Sequence, residues 1–212
     1  MPDLRVDDGR IQRGNEARRA VLDLAVQIAS VEGLDGLSLG RLAGELQVSK
    51  SGVFALFGSK EDLQLATIEA AKAVFVEAVV APALTVDQGR ARVQALCESW
   101  LRYSRNRVFS GGCFFARANA EFGARPGRIR DELATAQTEW SALVTSVVER
   151  ALASTGAAAG RAAGADEADQ VAFELIAVME AANAQSVLHD DQSGYDRALA
   201  SCGRILAAEF GQ

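Results

Sequence analysis

Apolar residues recur at helical spacing along nearly the whole chain, and the pattern predicts helices throughout. From about Asn15, the residues Val21, Ala25, Ile28 and Ala29 share one face, and Gly33 stops the helix. Leu34 and Leu37 follow as plugs for a small core. The stretch from Ser38 to Lys60 reads as two short helices joined by a tight turn, then the start of another. Ser38 is the expected N-cap, with Leu42, Ala43 and Leu46 on the inner face. Gln47 and Val48 make the turn, Ser49 caps the next helix, and Val53 and Phe57 point inward. Gly58 ends that helix, because a residue without Cβ enters the left-handed region at low cost. Ser59 caps the following helix, and Glu61 and Asp62 sit in its first turn, where negative charge suits the dipole.

That helix is predicted to run to about Ala81 and to close at Pro82, with Leu65, Ile68, Phe75 and Val79 on one face. Thr85 to Gln88 has the form of a capping box, so another helix is expected from there to about Asn106. Gly111 and Gly112 mark a break before a short helix from Cys113 to about Phe122. A long helix follows from about Pro126 to Ala153, then the low-complexity run STGAAAGRAAGA, read as a flexible linker. Asp166 caps a helix that is apolar nearly all round, which implies burial on more than one side. Ser193 opens the last helix. The expectation is an all-α chain of about nine helices. Residues 1–14 are polar and non-periodic and read as a disordered tail. Residues 15–62 form a three-helix helix-turn-helix domain, and residues 63–212 a C-terminal helical bundle.

Composition narrows the function classes. With 49% hydrophobic and 24% charged residues the chain has the balance of a soluble globular protein. No uncharged apolar run reaches the ~18 residues of a membrane span, and no apolar leader opens the chain, so a cytoplasmic protein is expected. Cys97, Cys113 and Cys202 are odd in number and lack CxxC spacing, which predicts neither a disulfide framework nor a zinc site. His189 is the sole histidine and reads as a cation at a helix end. Without nucleophile–base pairs, ligand clusters or a phosphate loop, neither an enzyme nor a cofactor or metal is expected. Cys113 sits at a helix start, where a thiolate is favoured, although a buried structural thiol is the plainer reading.

The net charge of −6 runs against a nucleic-acid partner, and residues 1–62 hold eight basic against ten acidic side chains. DNA binding must then rest on where Arg41, Lys50 and Lys60 sit. Arg5, Arg10 and Arg13 belong either to a solvated tail or to a minor-groove arm.

The residues Val48, Ser49, Gly52, Phe54, Phe57, Lys60, Glu61 and Leu63 stand at the spacing of the DNA-binding segment of the TetR family of bacterial transcriptional regulators. The stretch Arg18–Leu65 closely resembles that segment. Locally, GGCFFARANAEFGARPG resembles part of the regulatory domains of one TetR subgroup. The resemblance implies a regulatory and dimerisation role for the C-terminal bundle, a homodimer paired through the last two helices, double-stranded operator DNA as partner, and a small-molecule effector. In a helix-turn-helix the second helix enters the major groove by its N-terminal residues, which points to Lys50 and Ser51. Arg41 is expected at a guanine edge or a phosphate, Ser38 and Ser49 at phosphates, and Lys60 at a phosphate near a helix N-terminus. Gly52 has a spacing role. Phe54 replaces the family's usual Tyr and loses its hydroxyl contact, and Leu56 stands where a polar residue is common.

Trp100, Tyr103, Phe114, Phe115, Phe122 and Trp140 lie on the helices behind this segment and are candidates for an apolar effector pocket, or for plain core. Tyr103, Arg117, Asn119 and Glu121 are candidates to orient a ligand there. Phe173, Ile176, Met179, Leu199, Cys202 and Leu206 are the candidates for the dimer interface. The expected function is a repressor that a hydrophobic or aromatic effector releases from a palindrome. The alternative is a helical ligand- or partner-binding dimer with weak or lost specific DNA binding.

Overall fold

Three serine caps set out the N-terminal helices. Ser38 Oγ accepts the Arg41 N–H at 3.1 Å, Ser49 Oγ the Gly52 N–H at 3.1 Å, and Ser59 Oγ the Asp62 N–H at 3.0 Å. Each bond satisfies a donor that the helix start leaves unpaired. The computed structural model describes residues 4–159 and 165–211. In order these form α1 (Leu4–Glu32), a 3-10 turn (Leu34–Gly36), α2 (Leu39–Glu45), α3 (Lys50–Phe57) and α4 (Lys60–Phe75). A π turn (Val76–Val80) joins α4 to α5 (Ala81–Leu84), and α6 (Arg90–Arg105), α7 (Phe114–Phe122), α8 (Arg128–Ala159), α9 (Ala165–His189) and α10 (Ser193–Phe210) complete the chain. No strand occurs among the described residues.

The turn between α2 and α3 closes on Gln47, at φ 55°, with the Val48 N–H donating to Ala43 O at 3.0 Å. A non-glycine residue in the left-handed region carries a modest strain, which this helix-end motif offsets. Gly58 takes φ 77° after α3, as its position predicts.

Several boundaries differ from the sequence pattern, among them the start of α9, where Asp166 lies in the first turn rather than at the cap. Helix α1 starts at Leu4 rather than Asn15, so the predicted tail 4–14 continues the helix, and residues 1–3 lie outside the described residues. No proline stops the segment, and extending a nucleated helix adds one hydrogen bond per residue even without a core to pack on. Pro82 does not close α4. The helical path runs on as α5, and the five-residue π turn before it accommodates a residue that lacks an N–H and crowds the preceding turn. The capping box at Thr85–Gln88 is not formed. Thr85 Oγ1 instead donates to Pro82 O at 2.7 Å and ends α5, and α6 starts after Gly89 at φ 103°. Helix α8 continues through the start of the expected linker to Ala159, and residues 160–164 lie outside the described residues.

The core runs without a break from Val21 on α1 to Phe210 on α10. Helices α8, α9 and α10 pack side by side, with α6 against α9 and α10, and α4 against α1 and α8. Helix α9 is long and apolar enough to cross a membrane by length and composition alone. Its apolarity has a local account: Val171, Leu175 and Met179 are buried in the bundle, while Phe173, Val187 and Leu188 stand exposed on its other side.

Candidate nucleic-acid interface and effector cavity

The exposed residues of α3 include Lys50, Ser51, Phe54 and Ala55, beside the buried Val53 and Phe57. The spacing i, i+1, i+4, i+5 puts these four on one side of the helix. Lys50 forms no ion pair among the described residues. The other candidate cations are engaged. Arg41 makes a bidentate pair with Glu32 and reaches Glu45 Oε1 at 2.9 Å. These contacts, Glu32 first, raise the Arg41 pKa, and Arg41 likewise lowers that of Glu32. Lys60 Nζ donates to Asp35 O at 2.7 Å. Ser38 and Ser49 use their oxygens as cap acceptors, which leaves the hydroxyl hydrogen of Ser38 without a partner in the cap itself. A Cβ on Gly52 would stand 3.0 Å from Ser49 Oγ, so this glycine leaves room for the cap. Leu56 is half-buried against the core, and Arg18 donates to its carbonyl at 2.7 Å while stacking on Phe57. The side chains of Arg5 and Arg10 lie outside the described residues.

Behind the helix-turn-helix lies a cavity of about 130 Å3. Phe75, Val76 and Val80 wall it from α4 and the π turn, Trp100 from α6, Phe115 from α7, and Trp140 and Leu143 from α8. Phe75 is the hub of the aromatic packing, edge-on to Trp140 at 5.0 Å, Tyr103 at 5.4 Å and Phe115 at 5.9 Å. Of the six aromatic candidates, Trp100, Phe115 and Trp140 line the cavity. Tyr103 and Phe114 are fully buried core, with the Phe114 N–H donating to the Tyr103 hydroxyl at 3.4 Å. Phe122 lies at the end of α7 under the Arg125 guanidinium. The helical stripe of Leu65, Ile68, Phe75 and Val79 does not reveal Phe75 as a cavity wall, because one apolar face can meet either a side chain or a void.

Lys72, Gln137 and Glu139 are the polar members of the lining. Lys72 Nζ sits 3.1 Å from Glu139, 3.4 Å from Glu69 and 3.6 Å from Glu132. Glu139 leads the contacts that raise the Lys72 pKa, and Glu69 leads those that raise the Glu132 pKa. Cys113 also lines the cavity. Burial pushes its thiol pKa up, against the thiolate that its place at a helix start suggests.

The segment Gly111–Gly127 ties these parts together. The Gly111 N–H donates to Ser30 Oγ on α1 at 3.0 Å, and a Cβ there would collide with Ser30 O. The Cys113 N–H donates to Asn183 Oδ1 on α9 at 2.9 Å. Arg117 reaches Glu32 O at 3.4 Å, and Asn119 reaches Gln137 on α8 at 3.4 Å. The Glu121 carboxylate accepts the backbone N–H groups of Leu34 and Asp35. Arg125 pairs with Asp35, and just beyond the segment Arg128 pairs with Glu61 at 2.8 Å. Arg117 and Glu121, candidates to orient a ligand, therefore bind the helix-turn-helix unit instead.

Two of the six interface candidates, Phe173 and Leu199, are exposed, at 68% and 44%. Ile176, Met179, Cys202 and Leu206 face the chain's own core. The helical period carried them inward, and the outward apolar stripe is made by Phe173, Val187 and Leu188 with Leu199. His189 occupies the last turn of α9, the place of a C-terminal cation.

No curated protein matches the chain. Among solved structures, it is similar to a TetR transcriptional regulator from Chloroflexus aurantiacus, with TM-score 0.81 and 21% identity over 93% of this chain and 98% of that one. A TetR-family transcriptional regulator from Streptomyces coelicolor superposes with TM-score 0.78 and 19% identity, covering 100% of this chain and 98% of that one. The regulator AibR, in complex with isovaleryl coenzyme A and operator DNA, superposes with TM-score 0.65 and 14% identity over 92% and 98%. At these identities the likeness is one of fold. The family model for bacterial regulatory proteins of the tetR family matches residues 21–67, and the one for the tetracyclin repressor-like C-terminal domain matches residues 89–202, more than half of the chain. The chain belongs to the TetR family, and it is a transcriptional regulator with a DNA-binding N-terminal part.

Proposed function

We propose that the protein is a repressor that binds a palindromic operator as a homodimer and leaves it when a small apolar or aromatic effector fills the cavity. One observation carries this reading: α7 holds both a cavity wall, Phe115, and the carboxylate that grips the 3-10 turn, Glu121. A short helix moves as a rigid piece, so a ligand against Phe115 displaces Glu121 and with it the turn leading into α2. Helix α4 shares the load, with Phe75 in the cavity wall and Lys60 beside the helix-turn-helix. The effector shifts the equilibrium only by its differential affinity for the two arrangements. A cavity of about 130 Å3 suits a single aromatic ring, since an engineered apolar cavity of about 150 Å3 holds benzene.

In this reading Lys50, Ser51, Gly52 and Phe54 face the major groove, and Ser38, Ser49 and Lys60 face phosphates. Arg41 must exchange Glu32 for DNA. The partner protomer covers Phe173, Leu188 and Leu199, pairing α9 and α10 into a four-helix bundle. The regulator carries out no reaction and works in the cytoplasm, where its operator is. The second reading, a helical ligand-binding dimer with weak specific DNA binding, is favoured by the acidic partners of Arg41 and Lys60.

Selection from a random-sequence duplex pool separates the two. Enrichment of a palindrome with half-sites about one helical turn apart, bound by two protomers in sedimentation, supports the repressor. Binding that never rises above the non-specific level, ~10⁻⁴–10⁻⁶ M, supports the second reading. A Phe173→Glu, Leu188→Glu variant is expected to sediment as a monomer and to lose the palindrome.

A further inference from the structure

We infer that α3 recognises thymine methyl groups, and that Phe54 is the residue that reads them. The inference rests on the operator-binding reading above and adds the chemistry of the readout. Phe54 is 55% exposed on the outer side of α3, and Val48 at the preceding turn is 49% exposed. Ala55 is exposed beside Phe54. Phe54 and Ala55 are apolar groups that the exposed side of α3 does not need for the core, since Val53 and Phe57 already fill the core face. Polar reach is correspondingly small. Only Lys50 and Ser51 bring donors to this side of α3, while Arg41 is held by Glu32 and Glu45.

The major groove offers one apolar feature that distinguishes bases, the C5 methyl of thymine, and apolar side chains such as Ala and Phe are its natural contacts. Phe54 lies one helical turn beyond Lys50, so when Lys50 meets the backbone or a base edge at the helix start, the ring sits deeper along the same groove. The two ends of the helix then divide the work: Lys50 and Ser51 set the register, and Phe54 with Ala55 reads the sequence.

The test replaces thymine by deoxyuridine in the duplex recovered by selection, singly and then at both symmetry-related positions. Uracil keeps every hydrogen-bonding group and lacks only the methyl. At least one position is expected to weaken binding about fourfold, the equivalent of ~0.8 kcal/mol for one buried methyl, and roughly fifteenfold when both half-sites are changed. Phe54→Ala should weaken binding to the thymine duplex and bring the thymine-to-uracil ratio close to one. Phe54→Tyr, which keeps the ring, should preserve the ratio. Because Phe54 lies outside the core, these variants should unfold at the wild-type temperature. A ratio below about twofold at every position overturns the inference, as does a ratio that survives Phe54→Ala; in both cases the operator-binding reading stands. If no duplex is enriched, that reading fails and the inference falls with it.

Discussion

The Glu121 carboxylate accepts the Leu34 N–H at 2.7 Å with one oxygen and the Asp35 N–H at 2.9 Å with the other, joining α7 to the turn before α2. Gly33 makes the approach possible: a Cβ at that position would stand 2.3 Å from Glu121 Oε2, and Gly33 itself takes φ 88°. Bonds of this kind to an ionised acceptor contribute ~1.5–3 kcal/mol. Glu121→Ala is expected to lower stability by about 1–2 kcal/mol, because the group is half-buried rather than enclosed. Gly33→Ala should cost more than about 1 kcal/mol through strain and collision together. Thermal unfolding reads both, and a wild-type melting temperature for either variant contradicts the latch.

A separate contact of the same turn, Asp35 with Arg125, sets a pH dependence. Arg125 holds the Asp35 carboxyl below its usual pKa by donating a hydrogen bond, with Lys60 adding a smaller coulombic part. A depressed carboxyl stabilises the fold above its unfolded value, about 3.9, and the contribution is lost as pH falls through the folded value. Glu32 and Asp62 are shifted the same way, by Arg41 and Ser59 respectively. Stability should therefore decline below about pH 4. Arg125→Ala should flatten part of that decline, because Asp35 then titrates nearer its unfolded value. All of these groups are exposed, so the effect is small and weakens with salt. Denaturant titrations between pH 3 and 6 measure it, and an unchanged acid slope in the variant contradicts the assignment.

Cys97, Cys113 and Cys202 are all buried, and burial raises the Cys113 thiol. An aromatic disulfide reagent should react slowly with the native protein, at a rate set by opening of the structure, and rapidly with three thiols after denaturation. Fast reaction of one native thiol would show an accessible thiol, which the burial of all three does not provide.

Both tryptophans of the chain, Trp100 and Trp140, line the cavity. Intrinsic fluorescence is thus a direct readout of occupancy. Single-ring aromatic compounds should change the emission saturably, and Trp140→Phe should remove a large part of the change. A compound that releases the protein from DNA while leaving the emission untouched would move the effector site elsewhere.

Residue types differ in how far the sequence alone reveals their roles. The helix-turn-helix was legible because its signals are local: Ser38, Ser49, Ser59 and Gly58 act within four residues of their own positions, and each does what its type predicts. Phe115, Trp100 and Trp140 were legible as a group, but Phe75 was not, since apolar periodicity marks a buried face without saying whether it meets a side chain or a void. Glu121 was misplaced for a related reason. Its partners are backbone N–H groups of the segment Leu34–Asp35, and backbone donors leave no mark in the sequence. Met179, Cys202 and Leu206 show the same limit on α9 and α10, where two apolar stripes, one for the core and one exposed, share a helix.

A fluorescence anisotropy titration of the protein with the selected palindrome at two salt concentrations tests operator binding most directly. The expected result is saturable binding in the range ~10⁻⁸–10⁻¹¹ M by a dimer, weakened by salt, and reduced by Lys50→Ala with a shallower salt slope. Affinity that stays at the non-specific level for every duplex, with Lys50→Ala indistinguishable from wild type, would contradict it.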